Sequence, residues 1–472
     1  MEDENSERKE EVYKRIDDYQ KKRNQSIPIV GLILHLIKKN DAELRMSGRC
    51  WLTESENWSP ESHSLILWRK QLEICAKEIE RLRSNIPYLA EYLVGIDAVS
   101  EENVAEPWTF APAFCGARDK KVSKPFIYVP ETGEKMAVQN MGLAFHVGEE
   151  FRHILSGLRH VDEVITHFKY KTGDRLGHAI VLGMDIEEWV EENEMVVMPL
   201  QEYMDNLLWL WVKAVREEMD LGVSLDIVQG KILELAKEVY GEIVGMTPEM
   251  LYEAYQEKFQ TNKEQCIFDK LRNETEKTPP DEDNEHFCRF YNPEKKYGVV
   301  WTKDKIFCTL YCPVYYKKIY EPILVLVRKQ MIPMYQKVQE QLVRRVEQIG
   351  IYVETNPTSN FIISGIKNLK ESTAIRLNDK DFKGQGHEVM VTVNSDDPGV
   401  FNTTSENELA YMYHSLSNMG YGKERVIAWV DKVRQAGMDS SFIRKEKPVS
   451  QILREIAVML KYIEREKRIL VL

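Results

Sequence analysis

The sequence predicts an α/β fold organised around a parallel sheet. Short apolar runs alternate with helix-period stretches, and each run ends in polar or titratable residues, the pattern of successive β-α units. The runs are also continuous rather than alternating, as strands buried on both faces are.

In chain order, residues 2–24 read as a charged helix with few apolar positions. Residues 29–34, after Pro28, form the first strand, and 64–82 carry helical periodicity. The second strand is expected at 92–97 and the third at 141–146. A helix ends across 167–172, and the fourth strand follows at 174–179. From about 184 to 334 the pattern breaks into mainly helical sequence. Residues 200–218 are rich in Leu, Trp and Val, and Thr247-Pro248-Glu249 places a capping hydroxyl before a first-turn proline. Residues 261–296 are strongly polar and read as an exposed loop. This stretch is too long for a connection and is expected to be an inserted subdomain. Its Leu and Trp content suits either an assembly surface or a small core of its own. A helix at 335–348 and strands at 350–354 and 388–394 resume the α/β pattern, and an amphipathic helix fills 449–472. The division is 1–25, a charged helix; 26–183, four strands; 184–334, the helical insertion; 335–445, two strands; and 446–472, a C-terminal helix. A doubly wound sheet and a (β/α)8 barrel both satisfy it, and in both, chemistry gathers at the carboxyl ends of the strands.

Hydrophobic residues at 43% and charged residues at 30% describe a globular chain, and a net charge of −12 argues against nucleic acid as a partner. No apolar stretch approaches the ~20 residues of a membrane span. The seven cysteines lack framework spacing, which suits a reducing cytoplasm.

Three segments at strand ends carry titratable groups. His146-Val147-Gly148-Glu149 sets an imidazole and a carboxylate on one tight turn, able to bind a metal and move a proton. Arg175-Leu176-Gly177-His178 adds a second imidazole, which on its own reads more readily as a hydrogen-bonded core histidine. Ser395-Asp396-Asp397-Pro398 sets two carboxylates side by side. They repel unless a cation or a substrate N–H lies between them, or they serve as an Asx turn before proline.

In this order the segments resemble the adenosine deaminase family, metal-dependent hydrolases built on a (β/α)8 barrel. The family's His-Ala-Gly-Glu is matched by 146–149, its Arg-Ile-Gly-His-Gly by 175–179, and its Ser-Leu-Asn-Thr-Asp-Asp-Pro by Thr392-Val393-Asn394-Ser395-Asp396-Asp397-Pro398. Phe401, Thr404 and Glu408 then follow in the family's manner. Glu354-Thr355-Asn356-Pro357-Thr358-Ser359-Asn360 resembles its Glu-Val-Cys-Pro-Thr-Ser-Asn, and Gly95-Ile96-Asp97 its Gly-Ile-Asp-Leu-Ala-Gly.

The resemblance implies hydrolytic deamination of adenosine, deoxyadenosine or a related nucleotide to the inosine product. Zn2+ would be held by His146 and Asp396, and would lower the pKa of a bound water from about 15.7 toward about 7. Glu149 would protonate the purine ring, His178 would hold or deprotonate the attacking water, and Asp397, Gly148 and the backbone of Ser100 would bind the base. The chain departs from the pattern in having no His-x-His, the family's first-strand zinc ligands, and in offering six strand candidates where a closed barrel has eight. It therefore reads as an incomplete barrel whose first two strands are missing. They are supplied by a second polypeptide or an upstream segment, or the chain is a metal-free scaffold or nucleoside sensor. Ala98-Val99-Ser100 also replaces Leu-Ala-Gly, and Ala179 replaces a glycine. A split deaminase domain with a large insertion looks like the deaminase component of the RADAR antiphage defence systems, which implies a homo-oligomer.

Overall fold

The computed structural model of the chain describes residues 30–40, 63–130, 132–260, 300–363, 372–443 and 447–470, with isolated helical positions between 11 and 18 and between 263 and 270. Most of the charged N-terminal helix and most of the polar loop at 261–296 lie outside the described residues.

The centre is a six-stranded sheet: β1 (Leu32–Ile37), β2 (Leu93–Val99), β5 (Gly142–Val147), β6 (Arg175–His178), β9 (Tyr352–Thr355) and β10 (Met390–Val393). Every pairing is parallel, and each strand lies beside the next one of the sheet in chain order. All six correspond to the expected strands, shifted by up to three residues at an end. Among the described residues no pairing joins β1 to β10, so the sheet has two edges. The exposed Leu32 and Ile37 lie on the first of them.

Two small antiparallel ribbons stand outside the expected pattern: β3 (Phe126–Val129) with β4 (Glu134–Ala137), and β7 (Met195–Pro199) with β8 (Pro322–Leu326). The first strands are four residues long, too short for their alternation to register. The second pair is joined across the whole helical region, which no local pattern reveals.

The helices include α1 (Ser64–Arg83), α2 (Ile154–His167), α3 (Ile186–Glu192), α4 (Leu200–Arg216), α5 (Leu225–Tyr240), α6 (Pro248–Glu257), α7 (Ile332–Ile349), α8 (Ser405–Asn418), α9 (Lys423–Asp439) and α10 (Val449–Leu470). At α6 the Thr247 hydroxyl accepts from the Met250 N–H with Pro248 in the first turn, as its sequence predicts. The Leu and Trp residues of α4 do not form a surface. Leu208, Trp209 and Trp211 are buried and join one core continuous with the sheet. The inserted region therefore packs as part of the same body.

On the sheet's inner face Gly95 and Gly142 leave room for the Phe442 ring, which any side chain at Gly142 would strike. Arg175 stacks on that ring at 4.2 Å and pairs with Glu354 at 3.1 Å. This layer closes the floor beneath the strand tips. No described helix is long and apolar enough to cross a membrane.

Candidate active site

Each expected residue lies at or just past a strand's carboxyl end. β5 delivers His146, then turns at Gly148 with φ +80°. A Cβ there would sit 2.7 Å from Val181 Cγ1, so the turn requires glycine. The carboxylate of Glu102, from the 3-10 turn Glu102–Val104 after β2, accepts from the N–H of Gly148 at 2.7 Å and of Glu149 at 3.1 Å. Gly148, expected to bind the base, thus has its N–H committed to Glu102. Burial pushes the Glu102 carboxyl up, against the nearby Lys38 charge.

His146 Nδ1 lies 3.2 and 3.1 Å from the two carboxylate oxygens of buried Asp97 on β2. Burial opposes charge on this imidazole, but the charge and hydrogen bond of Asp97 outweigh it and raise the pKa. An acid backing a histidine in this way fixes the ring and its tautomer.

At the end of β6 His178 adopts φ +59° and Ala179 φ +41°. His178 Nδ1 is aligned on Asn360 Oδ1 at 2.9 Å. Glu149 Oε1 sits 3.0 Å from the same nitrogen, out of line for a hydrogen bond of its own. On the other side His178 Nε2 lies 3.3 Å from Asn356 Nδ2 and 3.9 Å from Asp396 Oδ2. Burial disfavours the imidazolium, yet contact with Glu149, then Asn360 and the Asp396 charge, push its pKa up to about 9. The rings of His146 and His178 stand 5.2 Å apart. Four of the expected residues, His146, Glu149, His178 and Asp396, therefore come together from the tips of β5, β6 and β10.

Asp396 follows β10 with φ +57°, and both it and Asp397 are exposed. The Asp397 carboxylate accepts from the N–H of Gly399 and Val400, capping the single helical turn Pro398–Phe401. It is the Asx-turn arrangement rather than a free base-binding group. Ser100, with φ +89°, ends β2 at the surface.

Besides Glu102, three residues escaped the sequence reading as functional groups. Lys38, directly after β1, is buried and donates to the His146 carbonyl at 2.8 Å. Burial lowers its pKa, opposed by Glu102, Asp97, Glu150 and Glu149. Asn356 and Asn360 hold His178, and only their place in a family-like segment hinted at it. That segment is anchored by buried Glu408, which accepts from the Thr358 N–H at 3.0 Å and from the hydroxyls of Thr358 at 2.5 Å and Thr403 at 2.6 Å.

Beside Glu149 a cavity of about 480 Å³ opens between Glu101, Glu150, Asp185, Trp189 and Arg376, a volume in the range of small-molecule sites. Among the described residues no group of three His, Cys, Asp or Glu is placed to hold a metal ion. His146 and Asp396 make two donors where a catalytic zinc takes three protein ligands. The described residues alone do not make a zinc site. In comparisons with known proteins, no family model and no curated protein matches this chain.

Proposed function

We propose that this chain provides the proton-transfer part of a hydrolytic purine deaminase site of the adenosine deaminase type, acting on adenosine, deoxyadenosine or a related nucleotide in antiphage defence. What supports the reading above all is His178, held between Glu149 and Asp396 with His146 at its side. Backbone strain concentrated at these tips fits a functional site, since such conformations persist where the surroundings enforce them.

In this reading Glu149 hands a proton to the ring nitrogen beside the amino-bearing carbon and makes that carbon electrophilic. His178 holds the attacking water and then the oxygen it becomes. Asp396, the carboxylate on the far side of the ring, takes the water's proton. The C–O bond forms, Asp396 passes the water's proton to the amino group, the C–N bond breaks and ammonia leaves, and the new hydroxyl's proton returns to Glu149 as the carbonyl forms. Zinc belongs to the reading through the resemblance. Its remaining donors come from a second polypeptide or an upstream segment.

The test is ammonia release from adenosine with zinc supplied, by the chain alone and with a neighbouring gene product. Glu149→Gln is expected to abolish release while the melting temperature stays within a degree or two of wild type. A variant with near-normal rates sinks the assignment. The two-donor count favours a second reading, a metal-free scaffold or nucleoside sensor. Metal analysis of the intact assembly separates the two, with stoichiometry near zero favouring the scaffold.

A further inference from the structure

The turn that carries His146 and Glu149 is gripped by two side chains that the proposed chemistry does not use. Lys38 reaches from the end of β1, past β2, and donates to the His146 carbonyl at 2.8 Å. Glu102 accepts from the N–H of Gly148 at 2.7 Å and of Glu149 at 3.1 Å. These groups belong to three consecutive peptide units: the carbonyl of 146–147 and the amides of 147–148 and 148–149. No strand pairing reaches Gly148 or Glu149, because β5 ends at Val147 and its partner β6 ends at His178. Without Glu102 the Gly148 and Glu149 amides have no partner in the sheet, and the backbone bond to these peptides from outside it, the Val181 N–H to the Gly148 carbonyl at 2.9 Å, leaves both amides open.

The pair is a costly choice. Lys38 is 5% exposed, and besides the carbonyl its ammonium has the Phe145 ring at 5.0 Å. An ammonium is taken out of water only where surrounding charge offsets the loss, and Asp97, Glu102, Glu149 and Glu150 all favour its charged form. A strand end needing only to be tidy would be closed by water or a serine. A buried cation and a buried carboxylate set a position more stiffly, because charge-assisted hydrogen bonds are shorter and about twice as strong as neutral ones.

The geometry points to Lys38 and Glu102 as the positioning residues of this site. Between them they fix the peptides of the β5 turn, so that the His146 and Glu149 side chains leave the backbone at set angles toward His178. This rests on the deaminase reading for what is positioned, but the grip itself has its own readout.

Lys38→Met, Lys38→Arg and Glu102→Gln are compared by amide hydrogen exchange and by ammonia release. In Glu102→Gln, a neutral acceptor replaces the carboxylate that received both amides, so exchange at Gly148 and Glu149 is expected to quicken about tenfold. In Lys38→Met, kcat falls about 10- to 100-fold with KM within about a factor of two, as a misplaced proton carrier predicts. Lys38→Arg, which retains the charge and the donor, recovers part of the loss. Unchanged exchange in Glu102→Gln together with unchanged kcat in Lys38→Met overturns the inference, and if Glu149→Gln is dead in the same assay the deaminase reading survives it. A fall in kcat matched by faster exchange throughout the sheet also overturns it, since that is general loosening. If the wild type releases no ammonia under any condition, the deaminase reading falls, and the exchange data decide whether the grip exists.

Discussion

Helix α2 begins at a buried histidine. His153 caps this helix, its Nδ1 accepting from the Leu155 N–H at 3.1 Å, and it is 1% exposed. Trp189, Tyr203 and Tyr335 surround it with ring centroids at 5.5, 6.4 and 5.7 Å. With no anion to offset burial, the imidazole is pushed down to about 3. A histidine whose folded pKa is depressed below its unfolded value of ~6.5 binds its proton first in the unfolded chain. It therefore withdraws stability as pH falls through the window from about 6.5 to about 3. At about pH 5 the unfolded imidazole is some 1.5 units into its titration while the folded one is neutral, which at ~1.36 kcal/mol per unit is about 2 kcal/mol. His153→Asn keeps a good capping side chain and cannot titrate. Its truncation in the aromatic cage costs roughly 1–3 kcal/mol at every pH. Urea midpoints of both proteins, taken from about pH 8 down to about pH 5, give the stability difference at each pH. The variant's deficit is expected to shrink by about 2 kcal/mol over that range, the other titrating groups cancelling in the difference. Parallel curves would show that the imidazole is solvated and refute the argument.

Other perturbations have equally definite outcomes. Asp97→Asn removes the partner that raises His146, so the imidazole titrates at lower pH in an NMR experiment. The stability that the raised group supplies, full below its ordinary ~6.5 and lost as pH climbs past the raised value, disappears as well. Gly148→Ala forces a Cβ against Val181 at φ +80°, and a melting curve should report a loss of about 1–3 kcal/mol. Arg159→Met strips a fully buried guanidinium from Glu163, Glu106 at 3.1 Å and Asn206 at 2.8 Å, leaving carboxylates uncompensated. Breaking such a buried network should cost about 3–5 kcal/mol by chemical denaturation, while replacing only the exposed Arg434 should cost almost nothing.

The parts of the molecule that were legible in advance are those written in short sequence windows. Each of the six sheet strands is an apolar run ending in polar residues, and the order of those endings placed His146, Glu149, His178 and Asp396 at one end of one sheet. Ribbon β7–β8 was invisible because its strands meet only after the whole helical region has folded between them. Lys38 was invisible for a different reason. A lysine at the end of a strand ordinarily reaches solvent, and only the pairing of β1 on the outer side of β2 turns it inward. Asp397 looked like a second functional carboxylate, yet the proline beside it starts a helical turn, and the local cap claimed its oxygens. Glu408 took its meaning only from the fold, because its three donors come from two separate segments, the helical turn at Thr358 and the loop at Thr403.

Four residues other than glycine, Ser100, His178, Ala179 and Asp396, hold left-handed backbone angles at the ends of their strands. Glycine at Ser100 or Ala179 would meet no steric objection there and would relax the chain by something near 1 kcal/mol each. A laboratory selection for heat tolerance would therefore drift first toward these two positions, which flank the groups proposed to act. Both exchanges restore the residue carried at these places by the family the segments resemble, so hardier descendants of this protein are expected to keep sharp tips while shedding backbone strain there.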